Sequence, residues 1–199
     1  MNKGILIVIS APAGCGKDTI LERAFEKNNQ LFYSVSATTR AIRNGETDSI
    51  SYYFKTREQF LEMVSKNELL EYTEYCGNFY GTPKKAVTDM LSEGKNVVLK
   101  IEVEGALNIK KIFNEAVLIF ILPPSIKELD RRLHKRGTED EETIQKRIEL
   151  AKKELTYAKD YDYLIVNGEL EKAIDDFLTI VNAEKFKAER NLDLLATIS

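Results

Sequence analysis

Histidine, cysteine, proline and tryptophan are scarce in this 199-residue chain: one His, two Cys, four Pro and no Trp. Two cysteines, Cys15 and Cys76, cannot form a disulfide framework. The lone His134 cannot assemble an imidazole metal cluster or a Ser-His-Asp triad. No apolar run approaches the roughly 20 residues that a bilayer span requires. The first ten residues carry one strand-length apolar run without a small-residue cleavage site, so no secretory leader is expected. An excess of positive charge is missing too. Lys and Arg number 29 against 32 Asp and Glu, a net charge of −3, which argues against a nucleic-acid coat. Repeats and low-complexity segments are absent. What remains is 43% hydrophobic and 31% charged, as expected of a folded cytoplasmic unit with one sizeable core and small excursions, without nucleic-acid or membrane partners.

The strongest signal comes early. Ile5-Leu6-Ile7-Val8-Ile9 reads as a buried strand, and Ser10-Ala11-Pro12-Ala13-Gly14-Cys15-Gly16-Lys17-Asp18-Thr19 follows it directly. A glycine-rich turn between a strand and a helix, ending in Gly-Lys, wraps main-chain N–H groups around a phosphate. Lys17 supplies a point charge for the outer phosphates. The usual pattern is G-x-x-x-x-G-K-[ST]; here Ala11 stands at the first glycine and Asp18 at the hydroxyl position, with Thr19 one place later. The plain alternative is a strand-to-helix turn with no ligand. Cys15 reads as a small filler in that turn.

Further along, short continuous apolar strands alternate with helices. Strands are expected near 4–9, 51–54, 69–75, 96–101, 116–122 and 163–166. Helices are expected near 17–28, 57–65, 83–91, 105–112, 126–137, 140–159 and 170–189. The pattern predicts an α/β fold with a parallel sheet covered by helices. Ligands on such sheets sit beyond the carboxyl ends of the strands.

Ser36-Ala37-Thr38-Thr39-Arg40-Ala41-Ile42-Arg43-Asn44-Gly45-Glu46 places two arginines amid hydroxyls, a fork suited to a dianionic phosphate. On spacing alone it reads equally well as a solvated basic turn. With Tyr52-Tyr53-Phe54, Leu70-Glu71-Tyr72 and Gly77-Asn78-Phe79-Tyr80-Gly81-Thr82, however, the ordered set resembles guanylate kinase. Pro123-Pro124-Ser125, Arg132-Leu133, Arg136-Gly137-Thr138 and Lys146-Arg147 resemble that family's lid. The resemblance runs from Ile7 to Asn167.

The resemblance implies a P-loop NTPase-type core over 1–33, 84–122 and 162–199. It also implies an inserted nucleoside-monophosphate domain over 34–83 and a lid over 123–161. It implies transfer of the γ-phosphoryl group of ATP to GMP with Mg²⁺, by a monomer or homodimer. Lys17, Arg132, Arg136 and Arg147 would be catalytic. Ala13, Gly14, Cys15, Gly16, Lys17, Asp18, Thr19 and Asn167 would bind ATP, with Asp18 reaching the metal through water. Ser36, Arg40, Arg43, Glu46, Tyr52, Glu71, Tyr80, Thr82 and Glu102 would bind GMP, the arginines and tyrosines at the phosphate. Ser36, Glu71, Thr82 and Glu102 would face the base. Guanine offers N1–H and its exocyclic amine as adjacent donors, and a carboxylate is acceptor-only. Glu71 taken alone would pass for an exposed acid at a strand end.

The chain departs from the family pattern at Ala11, at Asp18, at Lys100, where relatives carry an acid, and at Glu104, where they carry Gln. Two other readings stay open at this point. One is a kinase for a different phosphorylated acceptor on the same fold. The other is a catalytically silent binding module, although such modules usually lose the phosphate loop that this chain keeps. A GTPase is disfavoured, since no Asn-Lys-x-Asp motif is present.

Overall fold

The computed structural model describes residues 4–75, 77–136 and 140–196, with the side chains of Arg136 and Ala196 outside the description. The first apolar run folds as β1 (Leu6–Ser10), buried at every position. There follow α1 (Lys17–Lys27), β2 (Leu31–Tyr33), β3 (Ala37–Thr38), β4 (Tyr53–Phe54), α2 (Arg57–Ser65), β5 (Leu69–Tyr75) and β6 (Asn78–Pro83). Then come α3 (Lys84–Ser92), β7 (Asn96–Lys100), α4 (Val103–Ile112), β8 (Val117–Leu122), α5 (Ile126–Arg136), α6 (Glu141–Leu155), β9 (Tyr163–Val166) and α7 (Leu170–Glu184). One sheet has the strand order β2-β7-β1-β8-β9 and a second the order β4-β3-β6-β5. The pairs β2–β7 and β8–β9 are parallel, as continuous apolar strands between helices require.

By its internal contacts the chain divides into two units. One holds the residues up to Val8 with Gln30–Ala116, the other Ile9–Asn29 with the residues from Val117 on. In the first unit, Ala37, Phe60, Leu69 and Phe79 form a buried cluster, with Tyr53, Met63 and Val64 packed on it. Phe60 and Phe79 stack with centroids 5.3 Å apart. A fully buried side chain such as Phe60 stabilises by about 1.5–3 kcal/mol. Gly81 is required at this spot: a Cβ there would approach Leu69 Cδ1 to 2.8 Å and Phe60 Cζ to 2.9 Å. Helix α2 begins with a full capping box between Thr56 and Gln59. In the second unit, Ile20, Leu21 and Ala24 of α1 are buried, as are Ala173, Ile174, Phe177 and Val181 of α7. Lys27 Nζ at the end of α1 donates to Glu171 of α7 at 2.8 Å.

Three strands went unforeseen. β2 and β3 are only three and two residues long, too short to show a period. β6 contains Gly81 and ends in Pro83, residues that disfavour strands unless tertiary pairing demands one. Two helices end earlier than their apolar patterns suggested. α6 stops at Leu155, a 3₁₀ turn occupies Ala158–Asp160, and α7 stops at Glu184. No described helix is long and apolar enough to cross a membrane.

Candidate functional site

The turn after β1 belongs to the second unit. Gly14 and Gly16 adopt φ values of 90° and 81°, the left-handed region that side-chain-bearing residues avoid. Both also lack room. A Cβ on Gly14 would lie 2.9 Å from Leu133 Cδ2, and one on Gly16 would lie 2.4 Å from Asn167 Nδ2. The Cys15 N–H donates to the Pro12 carbonyl at 3.2 Å, tightening the turn. Gly16 is the N-cap of α1 and makes no side-chain cap bond. The first amides of α1 therefore lack a side-chain acceptor at the cap, in the geometry that binds anions. Lys17 opens the helix, with the exposed Asp18 and Thr19 next.

Expected residues from two separate stretches support this turn. Asn167, 5% exposed after β9, donates Nδ2–H to the Cys15 carbonyl at 2.7 Å. Arg132 Nη2 donates to the Asn167 carbonyl at 3.0 Å, and its Nε donates to Glu128 at 2.8 Å. Hydrogen bonds from Arg131 and Arg132 hold Glu128 down to about 2, well below the usual carboxylate range. Arg131 also reaches Glu128 but is 63% exposed. Ser125 caps α5, its Oγ accepting from the Glu128 N–H at 3.1 Å. Arg147 lies half-buried on α6. The Arg136 side chain, expected to act beside these, lies outside the described residues. Cys15 is 1% exposed, and burial pushes its thiol up to about 12, which makes it the inert filler that was expected.

The remaining predicted residues lie in the first unit. Arg40 forms a two-pronged pair with Glu46, Nη1 to Oε2 at 3.0 Å and Nη2 to Oε1 at 2.7 Å. Glu46 Oε2 also accepts from the Arg43 N–H at 2.8 Å. The Arg40 guanidinium faces the Tyr52 ring at 5.4 Å, and the Tyr52 and Tyr80 rings meet edge-on at 6.1 Å. Arg40, Arg43, Glu46, Tyr52 and Tyr80 thus form one neighbourhood around the β3 end. Hydrogen bonding to Arg40 lowers the Glu46 pKa.

Glu71 contradicts its plain reading as an exposed strand-end acid: it is 6% exposed. The β5–β6 ladder slips register between Leu69 and Tyr72, and such a bulge re-aims a side chain. The fully buried Thr82 donates its hydroxyl to Glu71 Oε1 at 2.7 Å. Oε2 is buried and has no hydrogen-bond partner among the described residues. Desolvation raises the carboxyl to about 7, against the Thr82 hydrogen bond, and the charge of Glu104 adds to the rise. Glu104 itself accepts from Thr73 Oγ1 at 3.1 Å. Ser36 is 6% exposed just before β3. Glu102 is the N-cap of α4, half-buried, and its side chain makes no cap bond. Lys100 ends β7 with Nζ 5.6 Å from the Tyr33 ring centre.

A buried oxygen without a hydrogen-bond partner among the described residues, on a carboxyl that burial raises to about 7, marks a place prepared for a donor from outside the chain. The guanylate kinase family model matches residues 3–184. The chain belongs to the guanylate kinase family. It is 49% identical to the guanylate kinase of Desulfitobacterium hafniense over 189 residues, 95% of this chain and 94% of that protein. It is 50% identical to the guanylate kinase of Halalkalibacterium halodurans over 192 residues, 96% of this chain and 94% of that one. The crystal structure of guanylate kinase from Anaplasma phagocytophilum superposes with a TM-score of 0.82 at 35% identity, covering 98% of this chain and 94% of that chain. Within the guanylate kinase pattern, sequence reasoning missed the Arg40–Glu46 pairing, the bulge beneath Glu71 and the close pass of Gly105 beside it. The Arg-x-x-Arg-x-Gly-Glu spacing carried a signal for the first; the other two depend on cross-strand and helix-to-strand contacts that no local pattern contains.

Proposed function

We infer that this chain transfers the γ-phosphoryl group of ATP to GMP, giving ADP and GDP. A GMP phosphate oxygen forms a bond to the γ-phosphorus as the bond from that phosphorus to the β-bridging oxygen breaks. The nucleophile is already an oxyanion, so no general base is needed. The demands are in-line positioning and positive charge on the equatorial oxygens. The observation that carries the reading is the buried Glu71 carboxylate, braced by Thr82 at 2.7 Å with its other oxygen unpartnered among the described residues, in a chain of this family.

The amides of Ala13, Gly14 and Gly16, with Lys17 and Thr19, hold the ATP phosphates, in a turn that the Cys15 N–H closes onto the Pro12 carbonyl. Asn167 serves the same end by bracing the Cys15 carbonyl. Arg132, Arg136 and Arg147 neutralise charge on the transferring group. Arg40, Arg43, Tyr52 and Tyr80 take the GMP phosphate, and Glu46 presents Arg40. Ser36, Glu71, Thr82 and Glu102 face guanine. Adenine offers an acceptor at N1 and would leave the Glu71 oxygen unpaired, a mismatch that discriminates by roughly 10⁴-fold.

Mg²⁺ needs hard oxygen donors and keeps several waters. Asp18, exposed in the first turn of α1, and the neighbouring Thr19 hydroxyl fit that need, with Asp18 acting through water. When bound with ATP, the ion supplies charge neutralisation on the phosphates. The division of labour follows the segments: core 1–33, 84–122 and 162–199, acceptor domain 34–83, lid 123–161. The protein works in the cytoplasm as a monomer or homodimer.

A coupled ADP-release assay with GMP, dGMP, AMP, CMP and UMP, run with and without Mg²⁺, tests the reading. Turnover should require GMP or its deoxy form together with the metal. Comparable activity with AMP would contradict the base assignment, and no activity with any acceptor, combined with GMP binding, would make the chain a silent module.

A further inference from the structure

Gly105 sits third in α4, within a helix whose other residues carry side chains. Glycine weakens a helix interior relative to alanine, and Gly105 is not among the glycines with positive φ. Its backbone gives no reason for glycine. Its surroundings do. A Cβ at this position would come within 2.6 Å of Glu71 Oε2 and 3.2 Å of Glu71 Cδ. The third neighbour, Ile101 Cδ1 at 3.4 Å, is ordinary packing. The space that glycine leaves is therefore filled by one carboxylate, through the oxygen without a hydrogen-bond partner among the described residues. The other oxygen is fixed by Thr82 at 2.7 Å.

We propose that Gly105 is a positioning residue for guanine recognition: its missing side chain lets the Glu71 carboxylate pack against α4 through Oε2, braced by Thr82 through Oε1, in the one orientation that serves the base. The proposal rests on the assignment of Glu71 to guanine. An alanine methyl would collide with the far end of a flexible side chain and not with backbone, so the fold accommodates it by swinging the carboxylate. The swing turns Oε2 away and strains the Thr82 hydrogen bond. A misplacement of this size at a positioning group costs about 10- to 100-fold. The bulge at Leu69–Tyr72 and the close pass of α4 thus define one orientation for Glu71 from two sides.

The test uses Gly105→Ala, Glu71→Ala and the double variant, each assayed for kcat and KM with GMP and ATP and for thermal unfolding. Gly105→Ala should lower kcat/KM for GMP about 10- to 100-fold, chiefly through KM. Its KM for ATP should stay within about twofold and its unfolding temperature should not fall. In the Glu71→Ala background the same substitution should change nothing further, because no carboxylate remains to displace. An equal loss in both backgrounds would overturn the proposal, as would a folded Gly105→Ala enzyme with unchanged kinetics or a variant without a cooperative unfolding transition. If Glu71→Ala itself leaves GMP selectivity intact, the guanine assignment falls and this inference with it. If Glu71→Ala is damaging and Gly105→Ala is silent, this inference alone falls.

Discussion

At the turn before α1, the groups offered to an anion belong mainly to the main chain, and around β3 and β5 they belong to side chains. The turn before α1 has two glycines at positive φ, an N-cap without a side-chain bond, and a thiol too buried to ionise near neutrality. Its polarity is fixed by the fold itself. Around β3 and β5, the two central side chains are each held by another: Arg40 by Glu46, Glu71 by Thr82. A main-chain cradle reads only phosphate, whose oxygens look alike from any nucleotide. Side chains can be chosen, and so the first unit can discriminate a base. The same choice makes that unit sensitive to pH and to single substitutions, while the turn depends on backbone and one lysine.

The comparison can be broken by substitution. Lys17→Ala should give the largest effect, a loss of turnover on the order of 10³-fold or more, measured as ADP release at saturating GMP. Glu46→Gln should come next. It removes the charge that orients Arg40 and should raise KM for GMP about 10- to 100-fold while leaving KM for ATP nearly unchanged. Equal changes in both constants would mean that Glu46 does not act through the acceptor.

The third effect is a pH dependence. Burial raises the Glu71 carboxyl to about 7 in the free protein. Guanine donors favour the ionised form, so binding must expel the proton wherever it is present. GMP affinity should therefore fall as pH drops through 7, by about tenfold between pH 8 and pH 6, with proton release in calorimetry. Glu71→Gln should flatten this profile apart from the titration of the GMP phosphate itself; a profile unchanged in that variant would detach the effect from Glu71. The sign for stability is also set. A folded pKa above the unfolded value near 4.5 means that Glu71 contributes most below that value and loses its contribution as pH rises towards 7. The smallest effect is an expected absence of reaction: Cys15 in the folded protein should stay unmodified by a maleimide at pH 7.5, read by mass spectrometry, and react once urea unfolds the chain.

How far the sequence could be read follows the same division. The turn at Gly14 to Lys17 was legible because its determinants are contiguous: an apolar strand, glycines at fixed spacing, a lysine. The helix from Arg57 to Ser65 was legible to the residue, since Thr56 and Gln59 form its start locally. Ser125 was readable as a cap for the same reason, whereas Asp140, expected as the first residue of its helix, is the cap of that helix. The acceptor side was recognisable only through its family pattern. β3 and β6 form because they pair with each other, β3 also with β4 and β6 also with β5, which no local window contains. Burial of Glu71 depends on a one-residue slip in the β5–β6 ladder together with a glycine on α4, far along the chain. Residue types alone suggested a solvated acid.

The most direct test of this separation is calorimetric titration of GMP into Lys17→Ala. The account predicts a dissociation constant within about threefold of the parent enzyme, although turnover is lost. Weakening of GMP binding by more than about tenfold would contradict it, because the lysine of the main-chain cradle would then be part of the acceptor site as well.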